Sequence, residues 1–351
     1  QDPIITSTEQ EIMSGASGYE VIQSGDNWYG YAIDKINELV FRFDYGTDPY
    51  SDPTIEALTI PDGTFTHVPE TISMIKFDGE WYGVISYASP GGGIIRLDFG
   101  SDPTNNEPGI VNLGSYGISN EIRKVKLFEE DGNLLLMLSN HDAKEIWVVD
   151  YGNSFDNVID EENDIYKSAT ASSMNNINGF DIQIIDGDYI VHAVARTGTT
   201  NMVRYNYGNS LLNSPTIEGY YDLASSGSQF HIELILDGGV YYGAVSRNNA
   251  AILVYNFGDL TTASTPIAIT YGSSLSAMQG FEIIKDNSTY LVLGTHGANH
   301  IKTVFDFDCG ASTIYSNETN PNIEYSSAGT FGIELIASNE DSITDQITNI
   351  V

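Results

Sequence analysis

The chain of 351 residues is long enough for two or three ordinary domains, and 41% of its residues are apolar, enough for a substantial core. Its 48 acidic residues against 14 basic ones give a formal net charge of −34, which argues against nucleic acid as a partner because phosphate binding needs clustered Lys and Arg. Cys309, the single cysteine, excludes an internal disulfide, and no run reaches the roughly 18 apolar residues of a membrane span.

The first predicted element is a strand near the amino terminus, within residues 2–11. This run and the residues after it, DPIITSTEQEIMSGASGYEVI, align with a later segment, TPIAITYGSSLSAMQGFEII at 265–284. In the later segment the matching run follows three other strands of a repeated unit. The first run is therefore interpreted as the outermost strand of an incomplete unit.

From residue 19 onward the chain repeats a pattern of roughly fifty residues, the length expected of a propeller-type repeat. Each copy has a short apolar run, a polar turn, a second apolar run, and a third run that ends at an aromatic–glycine corner. A polar loop and a fourth short run complete the copy. The corners are at Gly46, Gly100, Gly152, Gly208 and Gly258, and FDFDCG, with Asp308 in the glycine position, is the sixth.

The runs have the chemistry of strands. Apolar and polar residues alternate in segments such as LVFRFDYG, which are rich in Val, Ile, Phe and Tyr. Asp-Gly between two such runs predicts tight hairpins at 78–79, 131–132, 186–187 and 237–238. Because no helical periodicity interrupts these units, we predict an all-β fold, a β-propeller built from four-stranded blades.

We predict that residues 1–351 form a single propeller domain with seven blades, of which six are complete repeats. The seventh is a closing blade shared by the two ends of the chain, 2–11 plus 331–351, in which FGIELIAS (331–338) supplies the inner strand. Six blades is the alternative, because 342–351 contains one plausible strand and no clear next one. A natural chain that continues past Val351 would explain the same gap. The complete repeats span about 19–72, 73–122, 123–179, 180–230, 231–280 and 281–330.

A ligand site is expected on the propeller face that carries the loops between the second and third strands. These loops differ most from copy to copy, and loops on a rigid scaffold commonly carry function. Basic side chains in or beside them could focus an anionic ligand such as an acidic glycan; the alternative is charge balance at exposed turns. The candidate ligand-binding residues are Lys35, Tyr87, His141, Lys144, Arg196, Arg247, His296 and His300.

The sequence contains one acidic loop and one histidine pair of the kinds that can bind metal ions. The acidic loop DNVIDEENDI suggests calcium, although the spacing of an EF-hand is absent. His296 and His300 form HxxxH without the Glu of the zinc motif. GxSxG, HExxH and a phosphate-binding glycine loop are absent, so no catalytic residue and no required cofactor is predicted. The candidate calcium ligands are Asp156, Asp160, Glu161 and Asp164.

The segments DNWYGYAI, GEWYGVIS, IIRLDFGSDPT and VRYNYGNSLLNSPT resemble a propeller repeat of large exported proteins of Bacteroidota, associated with type IX secretion or gliding motility. The resemblance runs from about Pro3 to Ser338 and implies an extracellular or cell-surface location. The start at Gln1 rather than Met and the acidic, Lys-poor composition fit an exported protein.

The expected function is a secreted or surface-exposed module, not an enzyme, that binds a glycan or a protein for adhesion through loops on one face. One alternative is a structural component of a cell-surface or secretion assembly, with outer-membrane secretion or motility machinery as partner. A second alternative is a glycan hydrolase or lyase that acts at the mouth of the central channel. Neither nucleic acid nor membrane insertion is expected.

Overall fold

A computed structural model of the chain describes residues 4–88, 92–119, 121–195, 200–223, 229–247, 250–261, 263, 265–269, 278–286, 289–306, 332–338 and 344–350. All regular structure in these ranges is β-strand, which confirms the predicted fold class. Since they contain no helix, none of the described residues forms a helical span of the membrane.

Four consecutive strands form each of five blades, numbered I to V in chain order. In each blade the strands pair antiparallel with their sequence neighbours, and in blades II to V the first strand is one edge of the sheet and the fourth the other. Blade I comprises β1 (Ile4–Ser24), β2 (Asn27–Asp34), β3 (Leu39–Gly46) and β4 (Thr54–Ala57). Blade II comprises β5 (Pro69–Phe77), β6 (Glu80–Tyr87), β7 (Ile94–Gly100) and β8 (Gly109–Gly114).

The next three blades repeat this arrangement. Blade III comprises β9 (Ile122–Glu130), β10 (Asn133–Asn140), β11 (Glu145–Asp150) and β12 (Ile165–Lys167). Blade IV comprises β13 (Gly179–Ile185), β14 (Asp188–Val194), β15 (Met202–Asn206) and β16 (Thr216–Tyr221). Blade V comprises β17 (Gln229–Asp237), β18 (Val240–Arg247), β19 (Ala250–Gly258) and β20 (Ile267–Ile269). The remaining strands are β21 (Gly280–Asp286), β22 (Thr289–Asp306), β23 (Gly332–Ser338) and β24 (Thr344–Ile350).

The predicted number of seven blades is wrong, since the described residues form a five-bladed propeller with four-stranded blades. The described part of the sixth repeat, up to Asp306, does not form separate second and third strands. Its second and third predicted strands are one long strand, β22, whose first half pairs with β21 and whose second half pairs with Ile4–Glu11 of β1. The amino-terminal strand therefore joins the sixth repeat and not the segment 331–351 of the predicted closing blade, where β23 and β24 pair with each other.

The predicted Asp-Gly hairpins are confirmed at three of the four positions. Both residues of the turn have positive φ there, as a two-residue turn of this type requires. The fourth turn lies one residue later, because Asp237 ends β17 and Gly238 and Gly239 form the turn. The φ values are 48° and 85° at Asp78 and Gly79, 52° and 79° at Asp131 and Gly132, and 53° and 91° at Asp186 and Gly187.

Neighbouring blades are joined by packed apolar faces and by a repeated arginine on the third strand. Leu135 and Met137 of blade III, for example, share a buried cluster with Val191 and Tyr205 of blade IV. Arg96 on β7 donates to Phe155 O at 2.6 Å and to Asp156 Oδ1 at 2.8 Å, both in the loop of blade III. Arg42 and Arg204 make the corresponding contacts to Thr104 O and Leu260 O of the blades that follow them.

Candidate active site

The first strands of the five blades, together with β21, bring one side chain each to a common level. In every case this residue pairs with the fifth residue of the next strand in the sequence. The strand register therefore places the six residues at the same level along their hairpins. The pairs are Glu20–Tyr31, Ser73–Val84, Lys126–Met137, Asp181–His192, Glu233–Ala244 and Glu282–Leu293. We call the four acidic members, Glu20, Asp181, Glu233 and Glu282, the carboxyl ring.

Contacts between first strands hold three members of the ring in place. Asp181 Oδ2 accepts a hydrogen bond from Leu234 N at 2.7 Å, and Glu233 Oε1 accepts one from Ile283 N at 3.0 Å. Glu20 Oε1 lies 3.4 Å from Lys126 Nζ, across two inter-blade gaps. The first strands of neighbouring blades share no backbone hydrogen-bond ladder. The hydrogen bonds from Leu234 N and Ile283 N therefore satisfy N–H groups at strand edges, which is a structural role.

The same contacts leave acceptor capacity facing the interior. Glu20 Oε2 and Glu233 Oε2 are buried and have no hydrogen-bond partner among the described residues. The side chain of Glu282 makes no hydrogen bond within the described part of the chain, and it lines the same cavity as Glu233. Buried acceptors of this kind are costly unless a ligand or water satisfies them. They are therefore available to the hydroxyl groups of a bound molecule.

Two cavities lie along the first strands. The axial cavity, about 140 Å³, is lined by Lys124, Lys126, Asp181, His231, Glu233 and Glu282, among others. The mouth cavity, about 50 Å³, is formed at the amino-terminal ends of the same strands and is lined by Lys35, Glu70, Arg123, Lys124, Asn178 and Gln279, among others. Lys124 and His231 line both. The axial cavity has room for on the order of ten water positions, the size of one sugar ring.

Burial and the nearby like charges raise the pKa of three of these carboxyl groups. Burial raises the pKa of Glu282 to about 8, with Glu20 and Asp181 adding to the effect and Lys126 opposing it. Burial, and then the charges of Glu282 and Asp181, raise the pKa of Glu233 well above its ordinary value. The pKa of Asp181 is also raised by burial, against the hydrogen bond from Leu234. Four carboxyl groups around one axis cannot all ionise cheaply.

Irregularities in two strands direct Lys124 and His231 to the junction of the cavities. β9 and β17 each carry a bulge at this depth, between Leu138 and Asn140 of the partner β10 in one case and between Gln229 and Ile232 in the other. A bulge re-aims side chains at the edge of a sheet. Lys124 Nζ lies 3.5 Å from His231 Nδ1, and burial lowers the pKa of both groups.

Gly179 and Gly280 allow the first strands to approach closely at the mouth. A Cβ atom on Gly179 would lie 2.5 Å from Phe230 O, and one on Gly280 would lie 2.5 Å from Tyr19 N. Real Cβ atoms do not tolerate such distances, so any other residue would push neighbouring first strands apart. The narrow opening therefore depends on glycine at the start of β13 and β21.

Of the predicted ligand-binding residues, the structure brings Lys35 to the mouth cavity, where its Nζ donates to Gln279 Oε1 at 3.3 Å. Tyr87 is buried and donates to Thr64 O at 3.1 Å, and burial raises its pKa to about 12. His141 lies beside Asp142, at 2.7 Å, and Lys144 occupies a turn with a φ of 60°. Arg196 lies outside the described residues.

The other three predicted residues do not line the two cavities. Arg247 ends β18, and His296 is a half-buried residue of β22. His300 is buried, accepts or donates a hydrogen bond with Tyr45 Oη at 2.8 Å and stacks on Phe43. Four residues along a strand span about 13 Å, so His296 and His300 are too far apart for the metal pair considered from HxxxH.

The carboxylates of the predicted calcium loop bond mainly to their own loop. Asp156 accepts from Arg96 Nη2 at 2.8 Å, Asp160 from Asn163 Nδ2 at 2.6 Å, and Asp164 from Asp160 N at 2.8 Å. Glu161 is an exposed residue of the same turn. Among the residues that the structure describes, no three His, Cys, Asp or Glu side chains are grouped to hold a metal ion. Calcium binding in this loop stays a prediction.

The carboxyl ring was missed because acidic residues are common everywhere in this chain. A local signal was nevertheless present. A glycine, an aromatic residue and an acid follow one another in three of these strands. The triplet Gly18-Tyr19-Glu20 lies within β1, whereas Gly179-Phe180-Asp181 and Gly280-Phe281-Glu282 begin β13 and β21. The glycine permits close approach, the aromatic residue packs between blades, and the acid two positions on faces the axis.

Solved structures with this fold include enzymes that act on glycans. A protein from Bifidobacterium bifidum assigned as an exo-β-1,3-galactanase aligns with a TM-score of 0.50 and 12% identity, over 76% of this chain and 99% of that one. The sialidase of Trypanosoma rangeli aligns with a TM-score of 0.54 and 8% identity, over 85% of this chain and 56% of its own. No protein-family description and no curated protein matches the chain.

These likenesses define the class of fold, the five-bladed β-propeller, and at such identities they show the fold alone. The expectation of a binding or adhesion module without catalytic activity is contradicted, because the solved structures described above that share the fold are a galactanase and a sialidase. The sequence predicted no catalytic constellation, whereas the fold brings carboxyl groups to one level from four strands that are distant in sequence.

Proposed function

We propose that the protein is a glycan hydrolase whose catalytic groups belong to the carboxyl ring. Hydrolysis of a glycosidic bond needs one carboxylic acid to protonate the leaving oxygen and one carboxylate to act as nucleophile or base. The observation that carries the proposal is a group of carboxylic side chains held at one level beside a cavity of sugar size. Glu282, which burial holds protonated, lines that cavity, and Glu20 Oε1 lies 3.4 Å from Lys126 Nζ, which lines it too.

In this proposal Glu282 is the general acid. Its pKa of about 8 keeps the proton in place at neutral pH, and it makes no recorded hydrogen bond within the described residues that would compete for that proton. Glu20 is the nucleophile or general base, because its Oε1 lies 3.4 Å from Lys126 Nζ while its Oε2 is buried without a hydrogen-bond partner among the described residues. Asp181 and Glu233 position the ring through their bonds to Leu234 N and Ile283 N, and Glu233 Oε2 is available to a sugar hydroxyl.

The test is hydrolysis of a panel of β-galactan, arabinan, sialylated and uronate-containing oligosaccharides, with release of reducing sugar as the readout. Wild type should cleave at least one substrate, and Glu20→Gln and Glu282→Gln should each lose about 10²–10⁴-fold in kcat. Glu129→Gln, an exposed Glu on the same strand as Lys126, is the matched control and should keep full activity. No activity on any substrate, or full activity in both ring variants, would overturn the proposal.

The place of action follows from the sequence rather than from the fold. The acidic, Lys-poor composition and the resemblance to exported Bacteroidota repeats support action outside the cell, on glycans at or near the bacterial surface. Partners in secretion or motility machinery stay a prediction.

A further inference from the structure

The charges that line the mouth cavity differ in sign from the rest of the molecule. Lys35, Arg123 and Lys124 line it against a single acidic side chain, Glu70, on a chain whose net charge is −34. When a protein surface of one charge contains a small region of the opposite charge, the electric field is focused at that region. The local concentration of ligands attracted to the region rises as a result. The region here would attract anions.

Two of these cations already have protein partners. Arg123 donates to Glu70 Oε1 and pairs with Glu121 Oε2, both at 2.6 Å. Lys35 Nζ has a neutral partner, Gln279 Oε1, at 3.3 Å. Arg123 is therefore neutralised within the structure, whereas the charge of Lys35 is not.

Lys124 differs from Lys126, the next inward-facing residue of the same strand. Lys126 pairs with Glu20, but Lys124 is 5% exposed and no carboxylate of the described residues lies within ion-pair distance of it. Within the described part of the chain, the one polar side chain that Lys124 Nζ contacts is His231, whose Nδ1 lies at 3.5 Å and brings no negative charge. A buried ammonium without an anionic partner is costly, and an incoming anion would remove that cost.

Resting on the proposed function, we propose that the substrate is an anionic glycan, and that the acidic group of the sugar in the axial cavity binds Lys124 at the junction with the mouth, with Lys35 beside the path. The position fits, because Lys124 lines both cavities while Asp181, Glu233 and Glu282 of the carboxyl ring line the axial one. Asn178 Oδ1, buried in the mouth without a partner among the described residues, is available to a sugar hydroxyl. A carboxylate and a sulfate share the chemistry that Lys124 would recognise.

The test is calorimetric binding of sugar pairs that differ only in the acidic group, namely galacturonate against galactose and galactose 6-sulfate against galactose. The protein is the Glu282→Gln variant, so that no turnover interferes. We expect at least one acidic sugar to bind about ten- to hundredfold more tightly than its neutral partner, as for a charge-assisted hydrogen bond. Preference for galacturonate alone would identify a uronate, and preference for the sulfate alone a sulfated sugar.

Lys124→Met in the same background should abolish the preference, and Lys35→Met should weaken it. Lys76→Met, which removes an exposed Lys from β5, is the control and should leave it unchanged. Equal binding of acidic and neutral sugars, or a preference that survives Lys124→Met, would overturn the inference. If Lys124→Met does not fold, two other results decide the question. A weaker preference in Lys35→Met and a decline of the preference with added salt would support the inference, and the absence of both would overturn it.

The two proposals fail separately. Hydrolysis of neutral glycans only, with no binding of acidic sugars, would retain the hydrolase and overturn the anionic substrate. Tight binding of an acidic sugar without hydrolysis of any glycan would do the reverse.

Discussion

At the scale of single residues, the account depends on the protonation state of Glu282. Burial raises its pKa to about 8, and a general acid must carry its proton when the substrate binds. The sequence shows that residue 282 is a glutamate but does not predict what surrounds it. Four carboxyl groups from β1, β13, β17 and β21 come together only in the folded chain. The glycine–aromatic–acid triplets mark three of the four, and Glu233 lacks that signature.

The pH dependence of hydrolysis should show this state. As pH rises through about 8, Glu282 loses its proton and kcat/KM should fall about tenfold per pH unit. The measurement is initial rate against pH at low substrate. An alkaline limb near the ordinary pKa of glutamate, with activity already lost at neutral pH, would contradict the assignment.

The dependence of the free energy of unfolding on pH should show the raised pKa of Glu282 without any measurement of activity. Folding raises the pKa of Glu282 from 4.5 to about 8, so between these values the folded state binds more protons than the unfolded state. The free energy of unfolding therefore falls as pH rises through that window. Urea titrations at a series of pH values should give a shallower fall for Glu282→Gln than for wild type. Parallel curves would show that Glu282 titrates normally.

At the scale of elements, the sequence predicts hairpins well because their turns are local. Three Asp-Gly pairs form the predicted turns. The bulges in β9 and β17 were not predictable, since they arise where Ser139 and Ser246 accept backbone N–H groups of Lys124 and His231. Only the paired strands reveal the extra residue.

The arginine contact between blades II and III should contribute measurably to stability. Arg96→Met keeps the apolar stem but leaves Phe155 O and the nearby carboxylates without their donor. We expect a loss of about 2–4 kcal/mol in the free energy of unfolding. Asp156→Asn, whose carboxylate is 81% exposed, should cost less than about 1 kcal/mol. Equal effects of both changes in denaturant titrations would refute the assigned importance of the Phe155 carbonyl.

At the scale of the whole molecule, the sequence predicts a propeller and the sharing of a sheet by distant segments, but not the number of blades. Counting repeats assumed that each copy closes into four strands. In the sixth copy a tight turn between second and third strands is replaced by the continuous strand β22, and Ile4–Glu11 pairs with its second half. The second half of β22, after Gly297, pairs with a segment of β1 that is nearly 300 residues away in the sequence. Such a pairing cannot be predicted from a local sequence pattern.

This long-range pairing predicts a specific disulfide. Ser7 and Thr303 are register partners whose hydroxyl oxygens lie 3.1 Å apart. Cysteines at these positions, in a Cys309→Ser background, should cross-link and stabilise the protein by about 2–4 kcal/mol. Urea titration with and without reductant measures the gain. Cysteines at Ser7 and Lys302, one residue out of register, are the control and should not cross-link; the opposite result would mean a different pairing of the amino-terminal strand.

The most direct test of the proposed chemistry compares wild type and Glu282→Gln on two aryl glycosides of one sugar that the wild type cleaves. One has a poor leaving group that needs a proton, and the other has a good leaving group that does not. The account predicts a loss of about 10²–10⁴-fold in kcat/KM on the first and a small loss on the second. Equal losses on both, or no loss on either, would contradict acid catalysis by the carboxyl ring.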